Sequence, residues 1–352
     1  MNYKFLLFFS LVTTMLGQTK LNEIQICFEI LLLIYLSYKI TKKGLTHYDI
    51  FILLIVVFSH LLSILNIPLA SAILNFKIAL FFLLPILFFK KKNMKFDKIF
   101  YQVFYINSII ILLESLLGLF PYPKSILNEN ATIFFYSRPI GLFFNPHTSS
   151  TFTALFLIYL ISCKPKKLFL IIIGLICLFL NASWTSAVAF FLWLVIYFIS
   201  KVRFLTFLRS IYYSIPIILL IAFIFLKNFD KALEILKTLP NSRYYSVELM
   251  AKVLLDVDYY FSGISFLPQD YYSVIKFQED ILLLAVGNES SLLKIIIENG
   301  ILMGTMIIFI AFKNMKSIGL FLFITMIHYS SFFISSFILF FGLKINSEIE
   351  NK

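Results

Sequence analysis

Lys164-Pro165-Lys166-Lys167-Leu168-Phe169-Leu170-Ile171-Ile172-Ile173-Gly174-Leu175-Ile176-Cys177-Leu178-Phe179-Leu180 decides the architecture of this chain. A short cationic turn gives way to an apolar run that carries no charge and continues to residue 182. The run is unbroken, where a strand of a membrane barrel would alternate apolar and polar residues. A second run, 184–200, follows at once, and Lys201, Arg203 and Arg209 close it. Two apolar helices hinged between cationic turns are the signature of a chain that crosses a bilayer repeatedly.

The rest of the sequence repeats this unit. Of its 352 residues 61% are hydrophobic and 14% charged, with mean hydropathy +0.94. Soluble domains are roughly 25% charged, and a globule this apolar would expose adhesive patches. Soluble, disordered and fibrous classes are therefore excluded, and an all-α, polytopic integral membrane bundle is expected. Further runs fall at 3–19, 24–38, 48–65, 69–89, 99–120, 148–163, 211–226 and 292–312. The tail 317–343 is long for one span and short for two, and His328-Tyr329-Ser330-Ser331 marks a hairpin within it. About 11–12 transmembrane helices result at about 20 residues each. Lys4 before the first run suggests a signal peptide, but Gly17-Gln18-Thr19-Lys20 is a poor cleavage site, so the run is read as a span.

Cations set the orientation. Lys39/Lys42/Lys43, Lys90/Lys91/Lys92/Lys95/Lys98, Lys164/Lys166/Lys167, Lys201/Arg203/Arg209 and Lys313/Lys316 fall on alternate turns. Placing them all inside puts the N-terminus in the cytoplasm and explains the net charge of +12 without nucleic acid. The chain then divides into transmembrane helices over 1–226 with an outer loop at 121–147, a large extracytoplasmic loop at 227–291, and C-terminal helices over 292–352. In the large loop, Val253-Leu254-Leu255 and Ile281-Leu282-Leu283-Leu284 fit amphipathic helices lying on the membrane or the bundle. Tyr244, Tyr245, Tyr259, Tyr260, Tyr271 and Tyr272 suit the interface or stacking on sugars. Cys27, Cys163 and Cys177 form neither a metal spacing nor a disulfide framework.

Arginine is scarce and therefore informative: Arg138, Arg203, Arg209 and Arg243 are the only four. Arg203 and Arg209 lie on the inner side. Arg138 and Arg243 fall one in each long outer segment, where charge-based orientation gives no reason for them. The guanidinium fork grips phosphate or carboxylate in a bidentate manner; snorkelling at the interface is the alternative use. Glu29, Lys77, Glu114, Lys294 and Glu298 fall within apolar runs, each in the outer half of its span. Charges at that depth face a cavity or a partner, which suggests a polar cleft open to the outside.

Both patterns converge on Ser137-Arg138-Pro139-Ile140-Gly141-Leu142-Phe143-Phe144-Asn145-Pro146-His147-Thr148. Pro146 suits the first residue of a helix and Asn145 its cap. The helix N-terminus and Arg138 would together offer donors to one anion. Arg138, Gly141, Asn145 and Pro146 reproduce an R-x-x-G-x-f-x-N-P stretch before a central span. In this the chain resembles the bacterial O-antigen polymerase and ligase superfamily, with its Wzy-type polymerases and WaaL-type ligases. A second landmark of that family, a polar pair followed by L-x-x-x-x-E-x-G, is matched from Glu289 through Glu298 to Gly300. A loop arginine is matched by Arg243 in Asn241-Ser242-Arg243-Tyr244. Ligases typically carry histidine at the polar pair; Glu289 stands there instead, which favours a polymerase.

The resemblance implies a GT-C-like membrane glycosyltransferase of lipopolysaccharide biosynthesis in the bacterial inner membrane. It would transfer the glycan from undecaprenyl diphosphate to a sugar hydroxyl of a carrier-linked repeat unit, with a chain-length regulator protein as partner. Negative charge builds on the departing diphosphate, so cationic donors should lower the barrier most. Arg138 and Arg243 would supply them, and Glu289 or His147 would accept the hydroxyl proton. Gly141, Asn145, Pro146, His147 and Glu298 would bind substrate. No cofactor is expected. Asp256-Val257-Asp258 has the spacing of a metal-diphosphate motif but also reads as a solvated helix end, so no metal is expected. Ligation of glycan to lipid A-core and lipid or polysaccharide transport are the alternatives. Transport is disfavoured because the charges lie outward of the midplane.

Overall fold

The computed structural model describes residues 3–16, 21–42, 44–63, scattered positions between 69 and 87, 97–121, 139–181, 183–200, 273–277, 280–284, 301–328 and 336–350. The expected span 211–226 and most of both outer loops lie outside these residues. The described chain is mostly helical. It comprises α1 (Tyr3–Leu16), α2 (Asn22–Lys42), α3 (His47–Ser63), α4 (Asp97–Leu112), α5 (Pro146–Cys163), α6 (Leu168–Leu180), α7 (Trp184–Ser200), α8 (Ile301–His328) and α9 (Ser336–Glu350). Helix α4 runs directly into a π turn, Leu113–Leu117. Helices α2 and α4, over Ile24–Lys42 and Lys98–Leu117, are long and apolar enough to cross a membrane.

Local chemistry sets several boundaries. At the start of α3, Thr46 and Asp49 form a reciprocal capping box: the Thr46 N–H donates to Asp49 Oδ2 (3.1 Å) and the Asp49 N–H to Thr46 Oγ1 (3.2 Å). Gly118, at φ 62°, ends the π turn in the left-handed conformation that glycine adopts freely. The Lys164-Pro165 step stops α5 at Cys163, since proline disfavours helical backbone in the residue before it.

Helix α5 is the centre of the bundle. It packs against α4, α6, α7 and α9, and every residue from Pro146 to Leu160 is buried. A helix buried on all sides must fit its neighbours closely. Phe156 stacks on Phe104 of α4 at 4.1 Å, and Phe341 of α9 stacks on Phe100 at 4.3 Å. Gly174 lets α6 approach α5: a Cβ there would stand 2.7 Å from Leu157 Cδ2. Outward faces are apolar as well. Phe51, Leu54, Phe58 and Leu61 form one exposed stripe on α3, and Leu168, Ile172, Ile176 and Phe179 another on α6. Both repeat at helical spacing.

Two expectations are corrected. Ile281–Leu284, expected in an amphipathic helix, is extended: β2 (Asp280–Leu284) pairs antiparallel with β1 (Ser273–Phe277), Phe277 opposite Asp280. This hairpin is the exception to the all-α reading. Val274, Ile275 and Ile281 are β-branched and favour strand, and a four-residue apolar run has no period that distinguishes helix from strand. The turn expected at Lys313/Lys316 is not there either, since α8 runs without a break from Ile301 to His328. Lys313-Asn314-Met315-Lys316 contains neither glycine nor proline, so nothing local stops the helix. Helix α8 ends at His328 and α9 begins at Ser336; the hairpin expected from His328 to Ser331 otherwise lies outside the described residues.

Candidate functional site

A cluster of buried polar residues gathers at the head of α5. Its first two turns, His147-Thr148-Ser149-Ser150-Thr151-Phe152-Thr153, carry six polar side chains, all buried. Around them stand Asn107, Ser108 and Glu114 from α4 and its π turn, and Asn181, Ser183 and Ser186 from the α6–α7 connection. Buried polar groups are expensive unless bonded, and the bonds here hold one short segment, Pro139–Asn145.

Five N–H groups of that segment, those of Ile140, Gly141, Leu142, Phe144 and Asn145, meet a defined partner. Glu114 Oε2 accepts the N–H groups of Ile140 (2.8 Å) and Gly141 (2.9 Å). Asn107 Oδ1 accepts from the Leu142 N–H (2.9 Å), while its amide nitrogen donates to Thr153 Oγ1 (3.3 Å). Asn181, oriented to satisfy both ends of its amide, donates to the Pro139 carbonyl (2.8 Å) and accepts from the Ser150 N–H (3.2 Å). The Ser149 hydroxyl donates to the Ile140 carbonyl at 2.6 Å. Between these anchors the chain turns through Gly141 (φ 63°) and Phe144 (φ 53°). The second is unusual for an aromatic residue. It is held by the Phe144 N–H bond to the Gly141 carbonyl (3.2 Å) and by the buried Phe143 ring beside Phe152.

Asn145 then caps α5 with Pro146 in the first turn, as its sequence predicts. Asn145 Oδ1 accepts the N–H groups of His147 (2.9 Å) and Thr148 (3.1 Å). The Ser149 N–H bonds the Asn145 carbonyl (3.0 Å). The backbone donors expected to face an anion are instead engaged within the protein. Asn145→Ala is expected to lower stability by about 1 kcal/mol, the usual worth of an asparagine cap. Asn145→Asp should retain most of it. Thermal unfolding of the detergent-purified variants measures the difference.

The imidazole of His147 is also fixed: Nδ1 lies 3.0 Å from Ser183 Oγ, which neighbours Ser186 Oγ (3.4 Å), itself 3.0 Å from Thr151 Oγ1. Gly141, Asn145, Pro146 and His147 are therefore brought together at one end of the bundle. Arg138, Arg243, Glu289 and Glu298 lie outside the described residues, as do Lys294, Asp256 and Asp258; Arg138 directly precedes the anchored Pro139 in sequence.

Two of the charges read as a cleft prove to be partners. Lys77 Nζ lies 2.6 Å from Glu29 Oε2, and Gln25 donates to Glu29 Oε1 (2.9 Å). Glu114 turns inward to the backbone. Sequence reasoning missed Asn107, Asn181 and Ser183. Asn107 carried a signal, since it lies two turns before Glu114 in a mostly apolar stretch. Among the described residues no group of three His, Cys, Asp or Glu side chains could hold a metal ion. No family model, curated protein or solved structure matches the chain.

Proposed function

We propose that this chain is a polytopic bacterial inner-membrane protein, N-terminus in the cytoplasm, and a surface-polysaccharide polymerase of the O-antigen (Wzy-type) kind. It transfers a glycan from undecaprenyl diphosphate to a sugar hydroxyl of a second carrier-linked unit at the outer face. The observation that carries this reading is the pinned segment 139–145 at the head of the central helix, preceded directly by Arg138. A guanidinium presented from a rigid backbone loses little entropy on meeting its ligand and can stabilise charge that develops on a diphosphate. The exposed apolar stripes on α3 and α6 support a lipid-facing exterior. In this reading Arg138 and Arg243 hold the departing diphosphate, and Glu289 or His147 takes the acceptor proton. The carrier lipid lies along the bundle, and a chain-length regulator acts as partner.

Gel electrophoresis of polysaccharide from a deletion strain tests it. A single repeat unit on the lipid core supports the polymerase. Free carrier-linked polymer beside bare core would point to ligation, and unchanged glycan to transport or another role. Complementation with Arg138→Ala or Arg243→Ala is expected to restore no long chains. Lysine at either position should restore a fraction, because the charge returns without the fork. Full restoration by both lysine variants would contradict bidentate phosphate recognition. Transfer by the purified protein should persist in EDTA.

A further inference from the structure

We propose that the cationic turn between α5 and α6 binds an anionic phospholipid: its lysines hold the headgroup phosphate, and the apolar face of α6 takes the acyl chains. The inference rests on the lipid-facing exterior described above and not on the polymerase activity. Three observations carry it. First, the cations are exposed, uncompensated and held in one place. Lys98, Lys164, Lys166 and Lys167 are all exposed, and among the described residues none of them joins an ion pair. The sequence holds no Asp or Glu from Asn130 to Phe229; the acid beside a lysine of this group is Asp97, which begins α4. The backbone closes the turn. The Lys164 N–H donates to the Leu160 carbonyl (2.8 Å) and the Lys167 N–H to the Lys164 carbonyl (3.1 Å).

Second, α4 brings its own cation to the same end of the bundle. Lys167 Nζ stands 4.1 Å from the centre of the Tyr101 ring, and Lys98 lies three residues before Tyr101, hence on the same face of α4. A ring face attracts an ammonium without cancelling its charge, so Lys167 is placed and stays available to an anion. Third, the adjoining surface is apolar over the depth that a lipid tail occupies. Leu168 (66%) and Phe169 (72%) are exposed directly beside the lysines, and Ile172, Ile176 and Phe179 continue the exposed face along α6. Leu168 and Phe179 are 11 positions apart, about 16 Å along the axis of a helix, which matches one leaflet of a hydrocarbon core about 30 Å thick. Cations at one end of a stripe of that depth complement a phospholipid, whose negative charge sits at one end of its chains. A soluble anion would have no use for the stripe.

Binding is read by calorimetric titration of the full-length chain in neutral detergent, with dioctanoyl phosphatidylglycerol as the probe. Dioctanoyl phosphatidylcholine has the same tails without net charge, and inorganic phosphate has charge without tails. Phosphatidylglycerol is expected to bind most tightly of the three, and Lys164→Gln/Lys166→Gln/Lys167→Gln to weaken it about tenfold. Lys39→Gln/Lys42→Gln, at the end of α2, removes cations elsewhere and should leave the affinity unchanged. Equal affinity in the triple variant and the parent chain overturns the proposal. An equal loss in the α2 variant also overturns it, because diffuse charge and not a site would then be responsible. Phosphatidylcholine or inorganic phosphate binding as tightly as phosphatidylglycerol overturns it too, the first by removing the role of charge and the second by removing that of the tails. Because Lys167 packs on Tyr101, Lys164→Gln/Lys166→Gln gives the same comparison should the triple variant fail to fold. No glycan enters the titration, so a failed polymerase test leaves this proposal standing, and a failed titration leaves the polymerase reading untouched.

Discussion

Gly141→Ala is expected to cost about 3–5 kcal/mol and to leave little folded protein. Two effects add. At φ 63° an L-residue is disfavoured by about 1–2 kcal/mol. The new methyl carbon would also lie 2.5 Å from Ser149 Oγ, 2.6 Å from Asn107 Oδ1 and 3.0 Å from Ser149 Cβ. Neither neighbour can yield freely, because Ser149 bonds the Ile140 carbonyl and Asn107 the Leu142 N–H. Overpacking of this kind typically costs about 1–3 kcal/mol, and each displaced hydrogen bond about 1 kcal/mol more. Gly118 provides the control. Its φ is 62°, yet nothing lies within 4 Å of a Cβ placed there, so Gly118→Ala should show the backbone term alone. Thermal midpoints of the two variants separate conformation from packing, and equal midpoints would mean that the cradle around Gly141 is open.

Lys77→Met should be the second most damaging change outside that cradle, at about 2–3 kcal/mol. It leaves the Glu29 carboxylate, 12% exposed, with Gln25 but without its cation. Removing one member of a fully buried pair costs about 3–5 kcal/mol. The lower figure applies here because Lys77 keeps 27% exposure, so solvent offsets part of the loss. Replacing both residues, Glu29→Gln with Lys77→Met, should recover most of the stability, since no charge is then stranded. The coupling from the four-variant cycle is expected at about 1–3 kcal/mol. A double variant that is simply the sum of the singles would show that the 2.6 Å contact contributes nothing.

The two changes mark what a sequence can disclose. Asn145 and Pro146 were legible because a cap and a first-turn proline act over two or three residues. The limits of α5, α6 and α7 were legible to within about two residues because an apolar run between lysine turns is both a local and a membrane signal. Glu114 was visible as a charge out of place but its partner was not. The amides of Ile140 and Gly141 lie 26 and 27 positions away, and reaching them depends on a π turn that no residue pattern announces. Lys77 and Glu29, 48 positions apart, were likewise two anomalies and not a pair. The lysines at 313 and 316 misled for a different reason. Positive charge reports the side of a membrane, whereas only glycine, proline or a cap reports the end of a helix.

One surplus residue sits in the helix that precedes the connection to α5. An α-helix advances about 100° per residue at 3.6 residues per turn, so the Leu113–Leu117 turn resets the azimuth at which the polypeptide leaves the bundle beyond Gly118. A single-residue deletion there has a defined geometric product instead of general damage. The ladder closes into regular α form and the chain departs about 100° around the axis, carrying everything downstream to a different meridian until Asn181 and Asn107 recapture it. Insertion–deletion scanning through 113–117 would therefore show a step in tolerance and not a gradient.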